Sequence, residues 1–132
     1  MIVIDTHVLF WWLSETRGEL SPKARAAVEA EENGGEILVS SMSAWEIALL
    51  VRAGRLRLSV NVADWVDAAA RIDCVRFIPL DNVIAVTSIN MPGTLHRDPA
   101  DRIIAATALW FGAPLVTKDA RLHAYPHVQT IW

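Results

Sequence analysis

The sequence predicts an α/β domain, doubly wound around a parallel sheet. Two observations predict it: short aliphatic runs alternate with stretches of helical spacing, and caps, prolines and glycines stand at the junctions between them. Ile2-Val3-Ile4 is a β-branched run suited to a buried parallel strand. It ends at Asp5-Thr6, and residues His7 to Leu13 read as a helix. Ser21-Pro22 supplies a cap and an N1 proline for a helix from Lys23 to Glu32, stopped by Asn33-Gly34-Gly35. Ile37-Leu38-Val39 is the second strand, and Ser43 to Ala53 a helix closed by Gly54. Val62 to Ile72 has helical spacing, Val75 to Ile78 is the third strand, and a helix follows from Asp81 to Ile89. Pro99 to Phe111 is the clearest helix, ended by Gly112. Leu115-Val116-Thr117 is the fourth strand, a helical turn starts at Asp119, and Val128 to Ile131 is a fifth strand. The expected architecture is a central parallel sheet of four to five strands with helices on both faces.

The chain has 132 residues, 53% of them hydrophobic, a net charge of -3 and one cysteine. This length suits one domain, residues 1–132, with a core large enough to need no covalent staples. Cys74 has no partner for an internal disulfide, and nothing points to an oxidising compartment. A mean hydropathy of +0.30 excludes a disordered chain. The longest uncharged apolar stretch, Ile103 to Thr117, contains Gly112 and Pro114 and is shorter than the ~18–20 residues a membrane span needs. Residues Met1 to Asp5 lack the basic start of a signal peptide, so the expectation is a soluble, cytoplasmic protein. The charge balance excludes the strongly basic class of nucleic-acid binder. Ten of the twelve cations are Arg, the better bidentate ligand for phosphate.

In an open parallel sheet, ligands bind beyond the carboxyl ends of the strands. Asp5 follows the first strand, Glu46 lies in the expected first turn of the helix after the second, and Asp119 lies just past the fourth. Asp98 and Asp101 open the long helix before the fourth strand. Each acid has an ordinary explanation. Ser43-Ala44-Trp45-Glu46 matches a capping box, Asp98-Pro99 reads as an N-cap with proline at N1, and Asp5 and Asp119 suit N-caps. Capping does not explain why four acids should meet at one sheet edge. Clustered carboxylates repel unless a pKa rises or a cation intervenes, and oxygen ligands favour Mg²⁺ or Mn²⁺ over Zn²⁺. Such an ion polarises a phosphoryl oxygen and generates hydroxide for in-line attack. Arg97, Arg102, Lys118 and Arg121 stand beside the acids as candidate ligands for phosphates.

Four ordered motifs carry a resemblance: Ile2-Val3-Ile4-Asp5-Thr6-His7; Ser43-Ala44-Trp45-Glu46-Ile47 with Gly54-Arg55-Leu56; His96-Arg97-Asp98-Pro99-Ala100-Asp101-Arg102; and Val116-Thr117-Lys118-Asp119. Together they resemble the PIN-domain ribonucleases, and within that group the VapC-type toxins of type II toxin–antitoxin pairs. The resemblance runs from Ile2 to about Leu122. It implies Mg²⁺- or Mn²⁺-dependent endonucleolytic cleavage of RNA, with Asp5, Glu46, Asp101 and Asp119 in the places of the catalytic acids. Metal contact is implied for Asp5, Asp101 and Asp119, and further for Glu46 and for Asp98, which matches a variant found in part of the family. Thr6 and Thr117 match supporting polar positions. The resemblance also implies a homodimer and inhibition by a VapB-type antitoxin.

His7, His96, His123 and His127 lack metal-ligand spacing and read as surface or core histidines. Trp45, Trp65 and Trp110 occupy apolar helical positions and are expected in the core. Phe10, Trp11 and Trp12 stand together, more than one helix face buries, so part of this cluster is expected at a subunit or antitoxin interface. A phosphatase with an Asp-x-Asp nucleophile fails at position 7, which is His. Two alternatives remain open from the residues alone: a phospho-receiver-like signalling domain, using Asp5, Lys118 and Asp81, and a non-catalytic acidic-pocket binding module.

Overall fold

The computed structural model describes residues 1–14 and 16–132. Its strands are β1 (Ile2–Ile4), β2 (Ile37–Ser40), β3 (Val75–Ile78), β4 (Leu115–Val116) and β5 (Thr130–Ile131). The helices are α1 (Thr6–Leu13), α2 (Pro22–Glu32), α3 (Ser41–Arg52), α4 (Val62–Ala70), α5 (Asn82–Asn90), α6 (Pro99–Phe111) and α7 (Ala120–His123), with a 3-10 turn at Arg17–Glu19. The strands form one sheet in the order β3-β2-β1-β4-β5, every pairing parallel.

The inner strands β1, β2 and β4 alternate their side chains between two covered faces. Val3, Leu38 and Leu115 point to one face, where Ile84 of α5 and Ile103 and Ile104 of α6 cover them. Ile2, Ile4, Ile37, Val39 and Val116 point to the other, against Val8, Leu9 and Trp12 of α1, Val28 of α2 and Ile47 of α3. Coverage of both faces is why the strands read as unbroken apolar runs.

Two local expectations are corrected. Helix α3 starts at Ser41, because Ser40 leaves β2 with an extended backbone and its hydroxyl accepts the Met42 amide at 3.2 Å. Ser43 is therefore buried within the helix, and the capping box with Glu46 does not form. Trp45 and Trp110, expected in the core, are 54% and 59% exposed, while Trp65 is half-buried. The reason is rotational: at about 100° per residue, position 45 lies opposite buried Ile47, and position 110 opposite buried Ala108. Trp12 goes the other way. It is 3% exposed, with Nε1 donating to Glu32 Oε1 at 2.8 Å, so it belongs to the core and not to an interface.

Candidate active site

The sheet order reverses at β1, with β2 on one side and β4 on the other. That reversal opens a crevice at the carboxyl ends of β1 and β4. Asp5, the residue after β1, caps α1: Oδ1 accepts the Thr6 amide at 2.7 Å, and Oδ2 accepts the Thr117 hydroxyl, just past β4, at 2.7 Å. The Thr117 oxygen in turn accepts the Asp119 amide at 3.1 Å. Asp119 caps α7 by accepting the Arg121 amide at 2.7 Å. One threonine hydroxyl thus donates to Asp5, 112 residues away in sequence, and accepts from the backbone of Asp119.

Glu46 sits in the second turn of α3, not the first, and Oε1 accepts the Thr6 hydroxyl at 2.6 Å. Asp101 stands in the first turn of α6, its amide donating to the cap Asp98 at 3.0 Å. Its Oδ2 accepts His96 Nε2 at 2.6 Å and Arg121 Nη2 at 3.2 Å. The acids open onto a cavity of about 420 Å³ lined by Asp5, His7, Trp11, Glu46, Asp98, Asp101, Lys118, Asp119 and Arg121.

The crowding has an electrostatic signature. Burial pushes the Asp5 carboxyl up, against the pull of the Thr117 and Thr6 hydrogen bonds. Glu46 is pushed up to about 7, first by burial, with the charges of Asp5, Asp101 and Asp98 adding to it and the Thr6 bond opposing. Asp101 is raised by burial and by Asp98, Asp5 and Asp119, while its His96 bond opposes. Asp119 alone of the four is lowered, held ionised by the Arg121 guanidinium 2.9 Å from Oδ2. Arg121 therefore acts as an internal cation bridging Asp101 and Asp119. In this arrangement no three His, Cys, Asp or Glu side chains among the described residues already form a cage for a metal ion. The donor set, all carboxylate oxygens with Asp5, Glu46 and Asp101 raised, nevertheless suits a hard divalent cation.

The cations divide. Lys118 and Arg121 line the cavity, and Arg97 is exposed outside its lining. Arg102 is a correction. Its Nε and Nη2 donate to Ser88 O at 3.0 and 2.8 Å, and Nη1 to Leu95 O at 2.9 Å, so the guanidinium is committed to backbone carbonyls, not to phosphates. One helical step past Asp101 turns it toward α5.

Sequence reasoning missed three residues. His96, read as an ordinary histidine, meets Asp101, and its Nδ1 is buried without a hydrogen-bond partner among the described residues. His7 and Trp11 wall the cavity. The signals were available in part: His7 lies two residues beyond Asp5 and Trp11 one helical turn further, but the irregular segment before α6 hid the reach of His96. Asp81 caps α5 at 2.9 Å from the Ile84 amide, beyond edge strand β3. A receiver sheet places its third strand beside the first, in the order 2-1-3-4-5, so the receiver reading falls.

The family model described as PIN domain matches residues 2–128. Ribonuclease VapC22 of Mycobacterium tuberculosis (strain ATCC 25618 / H37Rv) is 37% identical over 133 residues, covering 99% of this chain and 98% of that protein. Among solved structures, VapBC2 from Rickettsia felis bound to a promoter DNA fragment is similar with a TM-score of 0.69 and 15% identity, covering 98% of this chain and 97% of that one. FitAcB from Neisseria gonorrhoeae is similar with a TM-score of 0.66 and 20% identity, covering 98% and 96%. A match along nearly the whole chain, on a sheet that brings the four acids to one edge, leaves one conclusion: the chain belongs to the PIN domain family.

Proposed function

We propose that this protein is a Mg²⁺- or Mn²⁺-dependent endoribonuclease and the toxin of a toxin–antitoxin pair. The observation that carries the reading is the meeting of Asp5, Glu46, Asp101 and Asp119 at the carboxyl edge of the sheet, three of them with raised pKa values. A full-length relative named a ribonuclease supports the reaction class. Similar folds solved as toxin–antitoxin complexes, including one from Klebsiella pneumoniae, support a VapB-type antitoxin as partner. No helix among the described residues is long and apolar enough to cross a membrane, which is consistent with work on RNA in the cytoplasm. We extend the proposal to a homodimer, on family resemblance.

Asp5, Asp101 and Asp119 would hold the ion, with Glu46 and Asp98 within the same cavity. When bound, such an ion polarises a phosphoryl oxygen and lowers the pKa of water. Thr117 and Thr6 orient Asp5 and Glu46, each by a hydrogen bond to one carboxylate oxygen. Glu46, held by the Thr6 hydroxyl at the edge of the cavity, is the group placed to take a proton from the attacking water. Arg121, once it releases Asp101 and Asp119, offers a fork-shaped donor set to phosphate, and Lys118 offers a point charge.

The test is cleavage of a mixed RNA pool with Mg²⁺ or Mn²⁺, and again with EDTA. Undiminished cleavage in EDTA overturns the metal mechanism. Wild type failing to cleave with either ion overturns the nuclease reading.

A further inference from the structure

Trp11 has a position that neither core packing nor the acidic cluster explains. It packs against the buried cluster beneath β1, yet it also walls the acidic cavity. His7 lies 5.6 Å from it at 47°, and Trp132 lies 5.9 Å from it at 51°. Both rings are tilted, so they brace the indole without stacking on it in parallel. The Lys118 ammonium stands 5.6 Å from the indole centroid. Lys118 is exposed, and its flexible stem lets it leave the ring for a nearby anion.

A flat aromatic wall, a mobile cation and a floor of carboxylates together fit one kind of ligand, a planar ring joined to a phosphate. Bases within a duplex are stacked on both faces, whereas an unpaired base has a face free for an aromatic side chain. We infer that Trp11, braced by His7 and Trp132, is a stacking subsite for an unpaired base beside the cleaved phosphate, with Lys118 holding the adjoining phosphate. This rests on the nuclease reading above and adds the side chain that holds the base.

The experiment takes an oligoribonucleotide containing a sequence that the wild type cuts in the RNA pool, alone and annealed to its complement. Wild type, Trp11→Phe and Trp11→Leu are compared with Mn²⁺, after circular dichroism confirms folding. The wild type should cut the unpaired strand about 10-fold or more faster than the duplex. Trp11→Leu should raise KM on the unpaired strand about 10-fold with kcat little changed, and Trp11→Phe should stay within a few-fold of wild type. A second readout needs no turnover: in the inactive Glu46→Gln protein, the unpaired strand should quench tryptophan emission and the duplex should not. If both Trp11 variants fail to fold, this quenching decides, and equal or no quenching by the two RNAs overturns the subsite. Folded Trp11→Leu with wild-type KM, or equal cleavage of duplex and single strand by wild type, overturns the subsite and leaves the nuclease intact. No cleavage of any RNA by wild type overturns the nuclease reading and the subsite together.

Discussion

Glu46 has an ordinary pKa of 4.5 and is raised to about 7 here, chiefly by burial. Between those values the folded protein keeps a proton that the unfolded chain has lost, so the stability of the metal-free protein falls as pH rises through this window. Asp5 and Asp101, also raised, act in the same direction, and lowered Asp119 has its effect at more acid pH. Thermal melts in EDTA should therefore give a higher Tm near pH 5 than near pH 8. A Tm that climbs over that range counts against the strained cluster. Saturating Mn²⁺ should erase the fall, because the ion favours the ionised carboxylates. Asp5→Asn separates capping from chemistry, since Asn caps a helix about as well as Asp. It should reduce cleavage on the order of 100-fold or more, while the Tm in EDTA stays level or rises because a desolvated charge is gone. Normal cleavage by this variant would reduce Asp5 to a cap.

Helix α6 carries two neighbours with opposite duties. Asp101 faces the cavity, and Arg102 ties the Ser88 carbonyl near the end of α5 to the Leu95 carbonyl in the loop before α6. That loop also carries His96 onto Asp101. Arg102→Gln should cost about 2 kcal/mol, since charge-assisted bonds to carbonyls are lost, and lower the Tm by several degrees. Its KM for RNA should rise less than that of Arg121→Gln, a variant of a cavity residue. Steady-state cleavage alongside calorimetry checks this, and the opposite ranking would return Arg102 to the phosphate-binding set. At the other end of α6, Gly112 stops the helix in the left-handed region at φ 61, which a side chain would strain.

Expression of the whole molecule tests whether toxicity depends on cleavage or on binding. Wild type expressed alone should arrest growth. Asp101→Asn, expressed to the same level, should not, because it keeps a side chain of similar size but loses a carboxylate charge from the cluster. It should still bind RNA at least as well, since repulsion of phosphate falls. Growth arrest equal to wild type would favour the non-catalytic binding module. Sedimentation of the purified chain, with and without an antitoxin, tests the homodimer.

Element order, the strands and the four acids were legible in the sequence, because buried parallel strands need unbroken apolar runs and helix starts need caps, both local properties. Ile2–Ile4, Ile37–Ser40 and Asp98-Pro99 each carry such a signal within a few residues. Which face of a helix is buried was not legible for Trp45, Trp110 or Trp12, since apolar spacing alone does not say which neighbour arrives to cover it. Nor was the partnership of each polar side chain. Thr117 on Asp5, Thr6 on Glu46, His96 on Asp101 and Arg102 on Ser88 all follow from the order β3-β2-β1-β4-β5 and the packing of α5 against α6. Sequence alone determined that acids would gather at one edge of the sheet. Tertiary structure decided which would be buried, which would be neutralised by Arg121, and which aromatic ring would stand beside them, because desolvation and hydrogen bonding depend on what chain-distant elements bring into contact.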